Sequence, residues 1–180
     1  MNATEYLKHW KRKKVWKRLE VAVHQNRFRK ISSFLTGRTF IDVGCAYGHS
    51  THHLKKMTGG SWTGIEFDAD AAIKARGLFP DIPFIYLSDT DKIQTLSPFD
   101  GVVCSEVIEH VEHDQRLVDN LVAITGKTLV VTTPCAEVDD PGHLRLYTEE
   151  ALSGLFKKHG PVECVKTSRF FYIVFKRGAK

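Results

Sequence analysis

Residues 40–50 of this 180-residue chain read FIDVGCAYGHS. The strand formers Thr39, Phe40 and Ile41 run into Asp42, then Gly44 and Gly48 bracket a tight loop, and a helix-forming run begins at His49. The order is strand, glycine loop, helix. Glycine tolerates positive φ and lets a ligand approach the backbone, while the start of the helix behind offers N–H groups without helical partners. A dinucleotide loop needs G-x-G-x-x-G with its acid on the following strand. Here the spacing is D-x-G-x-x-x-G, with Ala46 in the middle position and Asp42 inside the first strand. A carboxylate at that point would repel a pyrophosphate and suits a ligand with a cationic end. The plain alternative is a strand-to-helix turn that binds nothing.

After the loop, Ser50–Met57 continues as a helix that Gly59-Gly60 stops, and Ser61–Glu66 reads as a second strand finishing on an acid. Asp68 or Asp70 caps a helix through Arg76, and Pro83–Leu87 is a third short strand. Gly101–Ser105 is a fourth strand, apolar on both faces as buried parallel strands are, followed by a helix over Asp114–Ile124. Lys127–Thr133 is the fifth strand, ended by Pro134. Thr148 caps a helix running to His159, and Val162–Lys166 and Arg169–Lys176 read as two antiparallel strands. Upstream, Ala3 to about Leu35 holds no Pro or Gly and predicts one or two helices. Strands alternating with helices imply an α/β fold with a doubly wound parallel sheet, and the length implies one domain over residues 1–180.

Composition excludes several classes. Hydrophobic residues at 42% and charged residues at 26% suit a soluble globular domain, and the longest apolar runs fall far short of the roughly 20 residues of a membrane span. The start, MNATEYLKHWKRKK, lacks the apolar core of a secretory signal, and Glu5 does not suit a transit peptide, so a cytoplasmic location is expected. Cys45, Cys104, Cys135 and Cys164 form no C-x-x-C pair, which argues for reduced thiols and against a zinc ribbon.

Charge is uneven: Met1–Arg38 holds 11 Lys/Arg against 2 Asp/Glu, a net of +9, leaving 15 against 19 for the rest. With Trp10 and Trp16 interleaved, such a segment could meet an anionic partner: nucleic acid, a phosphorylated substrate or a membrane surface. The bland reading is a solvated amphipathic helix whose Tyr6, Trp10, Trp16, Leu19 and Val23 pack on the domain. Residues 1–38 are expected to form a basic helical extension that closes over the ligand cleft as a lid.

The first motif resembles that of the class I S-adenosylmethionine (SAM) methyltransferases, (D/E)-x-G-x-G-x-G, with Ala46 as a departure. The similarity runs from about Thr39 to the C-terminus and includes Glu66, Asp89 in Ser88-Asp89-Thr90, and FDGVVCSEVIEH over residues 99–110. The closing strand pair is similar to the seven-stranded, mostly parallel methyltransferase sheet with its single reversed strand. What this resemblance implies is SAM as cofactor, held by Asp42, Gly44, Cys45, Ala46, Tyr47 and Gly48. Glu66 would take the ribose hydroxyls, Phe67 would lie on the adenine, and Asp89 with Thr90 would receive the adenine amino group. Cys104 to Glu106, with Ser105 between, would lie under the methionine part. The usual K-P-G-G turn before the fifth strand is cut here to Thr125-Gly126-Lys127.

The resemblance further implies methyl transfer to oxygen of a small molecule, an anionic one in view of the basic segment, with His110 as base and Glu109 and His143 beside the transfer site. Glu106, Glu109 and His110 are spaced i, i+3, i+4 and share one face if that segment is helical. With His143 they resemble the metal site of small-RNA 3′-end 2′-O-methyltransferases and of ubiquinone-pathway O-methyltransferases, which makes a divalent metal a candidate second cofactor. Otherwise Glu109 and His110 are loop residues near the site. Two other readings stay open: a metal-assisted RNA 2′-O-methyltransferase, prompted by the basic segment, and a SAM-binding regulatory or partner protein without transfer activity.

Overall fold

The computed structural model describes residues 22–137 and 140–178. Seven strands form one sheet: β1 (Thr39–Val43), β2 (Ser61–Glu66), β3 (Phe84–Tyr86), β4 (Phe99–Ser105), β5 (Thr125–Pro134), β6 (Val162–Lys166) and β7 (Phe170–Lys176). The helices are α1 (Ala22–Phe34), α2 (His49–Thr58), α3 (Ala69–Leu78), α4 (Asp114–Ala123) and α5 (Glu149–Gly154). Strand order is β3-β2-β1-β4-β5-β7-β6. The first five strands are parallel, and β7 runs antiparallel to both β5 and β6, so it is the single reversed strand. The doubly wound, seven-stranded, mostly parallel expectation therefore holds. No helix among the described residues is long and apolar enough to cross a membrane.

Side chains alternate across the sheet as the two-residue period requires. Phe40, Trp62, Val103, Val130 and Tyr172 face α1 and α2 and pack with Phe28, Ile31 and Leu54. Ile41, Val102, Cys104, Leu129, Val131 and Ile173 face the other way, onto Leu117, Val118 and Leu121 of α4 and Leu152 and Phe156. Phe28 and Ile31 are fully buried, so α1 is part of the domain core. Truncating a buried phenylalanine costs about 3–5 kcal/mol.

Helix α1 runs antiparallel to the parallel strands. Leu35, just past its end, lies against Gly101 at the start of β4, and Thr36 meets Thr128 at the start of β5. Its other end places His24 beside Phe170, which pairs with Pro134 at the end of β5. The chain therefore enters α1 at the carboxyl ends of the strands, beside β5 and β7 and one strand along from the β1–β4 junction, where the direction of winding reverses. Open α/β sheets bind their ligands at such a switch point. Of the basic segment 1–38 expected to form a lid, residues 22–34 are helix α1, packed into the core through Phe28 and Ile31, while Trp10 and Trp16 fall outside the described residues.

Several boundaries differ from the sequence reading. The N-cap of α3 is Asp68, whose side chain accepts from Ala71 N–H, and the helix runs to Leu78, past Arg76. Strand β5 begins at Thr125, because Phe99 N–H already bonds to the Ile124 carbonyl and the ladder tolerates a bulge between Phe99 and Gly101. The helix capped by Thr148 stops at Gly154, not His159. Beyond it Lys157 and His159 donate to carbonyls three residues back, so the α-helical ladder tightens into turns.

Candidate active site

The glycine loop closes by bonding to the neighbouring strand. The N–H groups of Gly44 and Cys45 both donate to the Ile65 carbonyl at 2.9 Å, and Gly48 N–H donates to the Cys45 carbonyl. Gly44 and Gly48 each adopt φ 79°. Ala46 also adopts a left-handed φ, 49°, so the departure from the glycine pattern is absorbed by a modestly strained alanine. The bond holding it there is Ala46 N–H to Glu66 Oε2 at 2.7 Å.

Asp42 is buried under this loop, and its Oδ2 accepts from the Ser50 hydroxyl at 2.8 Å and the Thr51 hydroxyl at 2.7 Å. Burial raises its pKa, and these two hydroxyls and the nearby Arg27 charge oppose that rise. The thiols of Cys45 and Cys104 are pushed well up by burial, which leaves them inert packing groups. Tyr47 is buried, with the Lys74 ammonium 4.9 Å from its ring centroid.

Glu66 ends β2 with its carboxylate buried and pulled toward backbone donors. Besides Ala46, it accepts at Oε1 from Phe67 N–H (2.8 Å) and Asp68 N–H (2.9 Å). A carboxylate has about four lone-pair sites, so roughly one is left for a ligand in this geometry, fewer than the two ribose hydroxyls expected of it. Phe67 is half-buried beside it and packs on the core. Asp89 is exposed at the carboxyl end of β3, where it caps a short 3₁₀ helix by accepting from Asp91 and Lys92 N–H. The Ser88 hydroxyl bonds its other oxygen and, with those N–H groups, lowers its pKa. Thr90 gives its carbonyl to the Asn120 side chain.

The turn after β4 is where sequence and structure part. Glu106 is not on a helix: its φ is 59°, and the following 3₁₀ turn spans only Ile108–His110. Its carboxylate points to β5 and α1, accepting from Thr132 Oγ1 at 3.0 Å and pairing with Arg27 Nη1 at 3.1 Å. Because Thr132 spends its proton on Glu106, the Ser105 hydroxyl donates to Thr132 across 2.8 Å. The expected grouping of Glu106 with Glu109, His110 and His143 is thus corrected to three residues.

Glu109, His110 and His143 each offer a ligand atom within 4.8 Å of the others. Glu109 is 1% exposed and, among the described residues, neither carboxylate oxygen makes a hydrogen bond of good geometry, although the Thr133 side chain lies close enough to oppose the rise in its pKa; His143 Nε2 is 4.0 Å away. Burial, then the Glu106 charge, raises its pKa well above the ordinary range. Burial lowers both His110 and His143, so both rings are neutral near pH 7. His110 Nδ1 faces the Gly142 carbonyl at 2.9 Å, and since a carbonyl only accepts, Nδ1 carries the proton and Nε2 the lone pair. Leu144 N–H to the Glu109 carbonyl ties down the loop bearing His143, and Tyr147 and Arg145 anchor its far end on Asp114.

Residues 41–127 match a family model described as a methyltransferase domain. The whole of the described chain has the seven-stranded Rossmann-like methyltransferase fold. In fold it is similar to the magnesium protoporphyrin IX methyltransferase of Synechocystis PCC 6803 solved with S-adenosylhomocysteine (SAH), with a TM-score of 0.69 and 14% identity over 86% of this chain and 84% of that one. A SAM-dependent methyltransferase from Archaeoglobus fulgidus superposes with a TM-score of 0.71 and 17% identity, covering 86% and 93% of the two chains. An O-methyltransferase family protein from Burkholderia thailandensis gives 0.70 and 15%, covering 87% of this chain and 57% of that one. No curated protein matches the chain significantly in sequence.

Within this fold, the predicted residues fall into two neighbouring groups at the carboxyl ends of the strands. Asp42, Gly44–Gly48 and Glu66 surround the glycine loop, and Asp89 with Thr90 stands after β3, two strands along. Ser105 and Glu106 end β4, and Glu109, His110 and His143 lie just beyond. Sequence reasoning passed over Arg27, Thr132, Ser50 and Thr51. Ser50 and Thr51, in the first turn of the helix that follows the loop, could have been read as hydroxyl partners for Asp42 eight and nine residues back. Arg27 carried no mark separating it from the other basic residues around it.

Proposed function

We propose that this methyltransferase uses SAM and delivers its methyl group to a hydroxyl oxygen of a small molecule in the cytoplasm. The observation that carries the acceptor reading is the Glu109, His110 and His143 group, placed immediately after the strand end that adjoins the glycine loop. Asp42, the loop 44–48, Glu66 with Phe67, and Asp89 with Thr90 form the cofactor side, and Ser105 and Glu106 lie between the two. The acceptor oxygen attacks the methyl carbon in line, the carbon–sulfur bond breaks, and the sulfonium becomes the neutral thioether of SAH. Holding the reacting atoms about 3–3.5 Å apart supplies much of the rate. The hydroxyl proton goes to His110 Nε2, which the Gly142 carbonyl keeps in the accepting tautomer.

A second use of the same atoms is favoured by Glu109, a buried carboxylate with no hydrogen bond of good geometry among the described residues, facing two neutral imidazoles. One carboxylate and two imidazoles suit a divalent cation, which Glu109, His110 and His143 would hold and which would polarise the acceptor hydroxyl. His110 Nε2 cannot serve both as base and as ligand. The test is methyl-labelled SAM with the full chain and a panel of small alcohols and phenols beside a short RNA, each with magnesium and with chelator. Label in a small hydroxyl acceptor supports the proposal, with chelator sensitivity assigning the cation and insensitivity the base. Label in RNA alone, or none in any acceptor, overturns it.

A further inference from the structure

Arg27 is the buried cation of this site. It is 6% exposed, its guanidinium lies 4.9 Å from the Phe170 ring centroid and 5.3 Å from that of Phe28, and among the described residues only Nη1 reaches a carboxylate, that of Glu106. Its Nε–H is buried with no hydrogen-bond partner. An orphaned guanidinium donor costs about 1–3 kcal/mol or more, so a group that accepts from it when present is expected. The same charge acts on Asp42, Glu106 and Glu109 together, opposing the rise that burial gives each, which places it between the glycine loop and the acceptor residues. Phe28 and Phe170 clamp the plane, so the donors are already oriented before a ligand arrives.

A cation and an anion 3.1 Å apart complement a zwitterion. SAM ends in one: an α-carboxylate and an α-ammonium on the same carbon. We propose that Arg27 binds the α-carboxylate of the cofactor while Glu106, held by Thr132, takes its α-ammonium. This rests on the SAM reading above and adds α1, which lies outside the residues matched by the family model, to the cofactor site. Guanidinium and carboxylate match in geometry and charge, and the ion pair already present is exchanged for two such pairs with the ligand.

The test is calorimetry on the full chain with SAH, with its analogue lacking the carboxylate, S-adenosyl-3-thiopropylamine, and with 5′-methylthioadenosine, which lacks the whole amino-acid end. In the wild type the carboxylate should be worth about ten- to hundredfold in affinity. Arg27→Met should erase that difference, weakening SAH while leaving the two analogues unchanged, and Arg27→Lys should restore part of it. Glu106→Gln should weaken SAH and S-adenosyl-3-thiopropylamine, which both carry the amine, more than 5′-methylthioadenosine, which lacks it. Equal weakening of all ligands by Arg27→Met would show a packing role only, and equal wild-type affinity for SAH and the carboxylate-free analogue would overturn the proposal even if the variant fails to fold. Failure of the wild type to bind any of the three would sink the SAM reading itself.

Discussion

Val107 packs directly on Gly44: a Cβ on the glycine would lie 2.4 Å from Val107 Cγ2. The first turn of the glycine loop and the turn carrying Glu109 and His110 are therefore one packed unit. Gly44 also holds φ 79°, which a side chain disfavours. Gly44→Ala should cost about 2–4 kcal/mol in denaturant unfolding, combining backbone strain with overpacking. SAH affinity should fall with it. Adding Val107→Ala should recover the steric part and not the strain.

Asp100 fastens the start of β1. Its carboxylate accepts from Arg38 and Thr39 N–H and pairs with Lys127 at 3.0 Å, and these contacts, the Arg38 bond foremost, lower its pKa to about 2. A depressed acid stabilises the fold above its unfolded value of 3.8, and that contribution is lost as pH falls through about 2. Asp100→Asn should remove about 1–2 kcal/mol at pH 7, an amount reduced by solvent at this half-buried site, and should flatten the stability profile between pH 4 and pH 2. Thermal melts across that range check it.

Glu109 should trade stability for function. Its folded pKa lies well above the ordinary 4.5, so the native state binds the extra proton and stability falls as pH rises from 4.5 through the raised value. Glu109→Gln should remove that decline and, without divalent cations, melt at a higher temperature than the wild type at pH 7, by about 1–3 kcal/mol. It should also lose methyl transfer. A variant less stable at pH 7 would mean that the carboxylate has a partner.

The pH profile of turnover reports His110. Burial lowers its pKa, so the neutral ring persists to lower pH than an ordinary histidine, and the acid limb of kcat/KM should lie below pH 6.5. Replacing His110 with Ala should abolish that limb together with most of the rate, about 10²–10⁴-fold for loss of a general base.

Legibility followed locality. The glycine loop, the strand-end acids Asp42 and Glu66 and the order of βα units were readable because each depends on residues near in sequence. Glu106 was read on the cofactor side, and only a helical segment would also have grouped it with Glu109 and His110; instead Arg27 from α1 and Thr132 from β5 draw its carboxylate aside and its backbone turns left-handed. Those partners come from distant parts of the chain, and nothing in the residues around Glu106 announces them. His143 could be placed beside Glu109 and His110 only through a resemblance; physically it is the Leu144 bond to the Glu109 carbonyl that brings its loop there. The end of α5 at Gly154 was a legible signal passed over, since glycine inside a helical run weakens it.

The most direct measurement is a calorimetric titration of the full chain with SAH, beside Glu66→Ala. Glu66 holds the loop at Ala46 and, in the proposed site, would offer its remaining acceptor position to the ligand. The account predicts saturable binding of one SAH per chain in the wild type and a loss of at least about tenfold in the variant, whose melt stays cooperative. Absence of any binding at millimolar SAH, or equal affinity in Glu66→Ala, would contradict it.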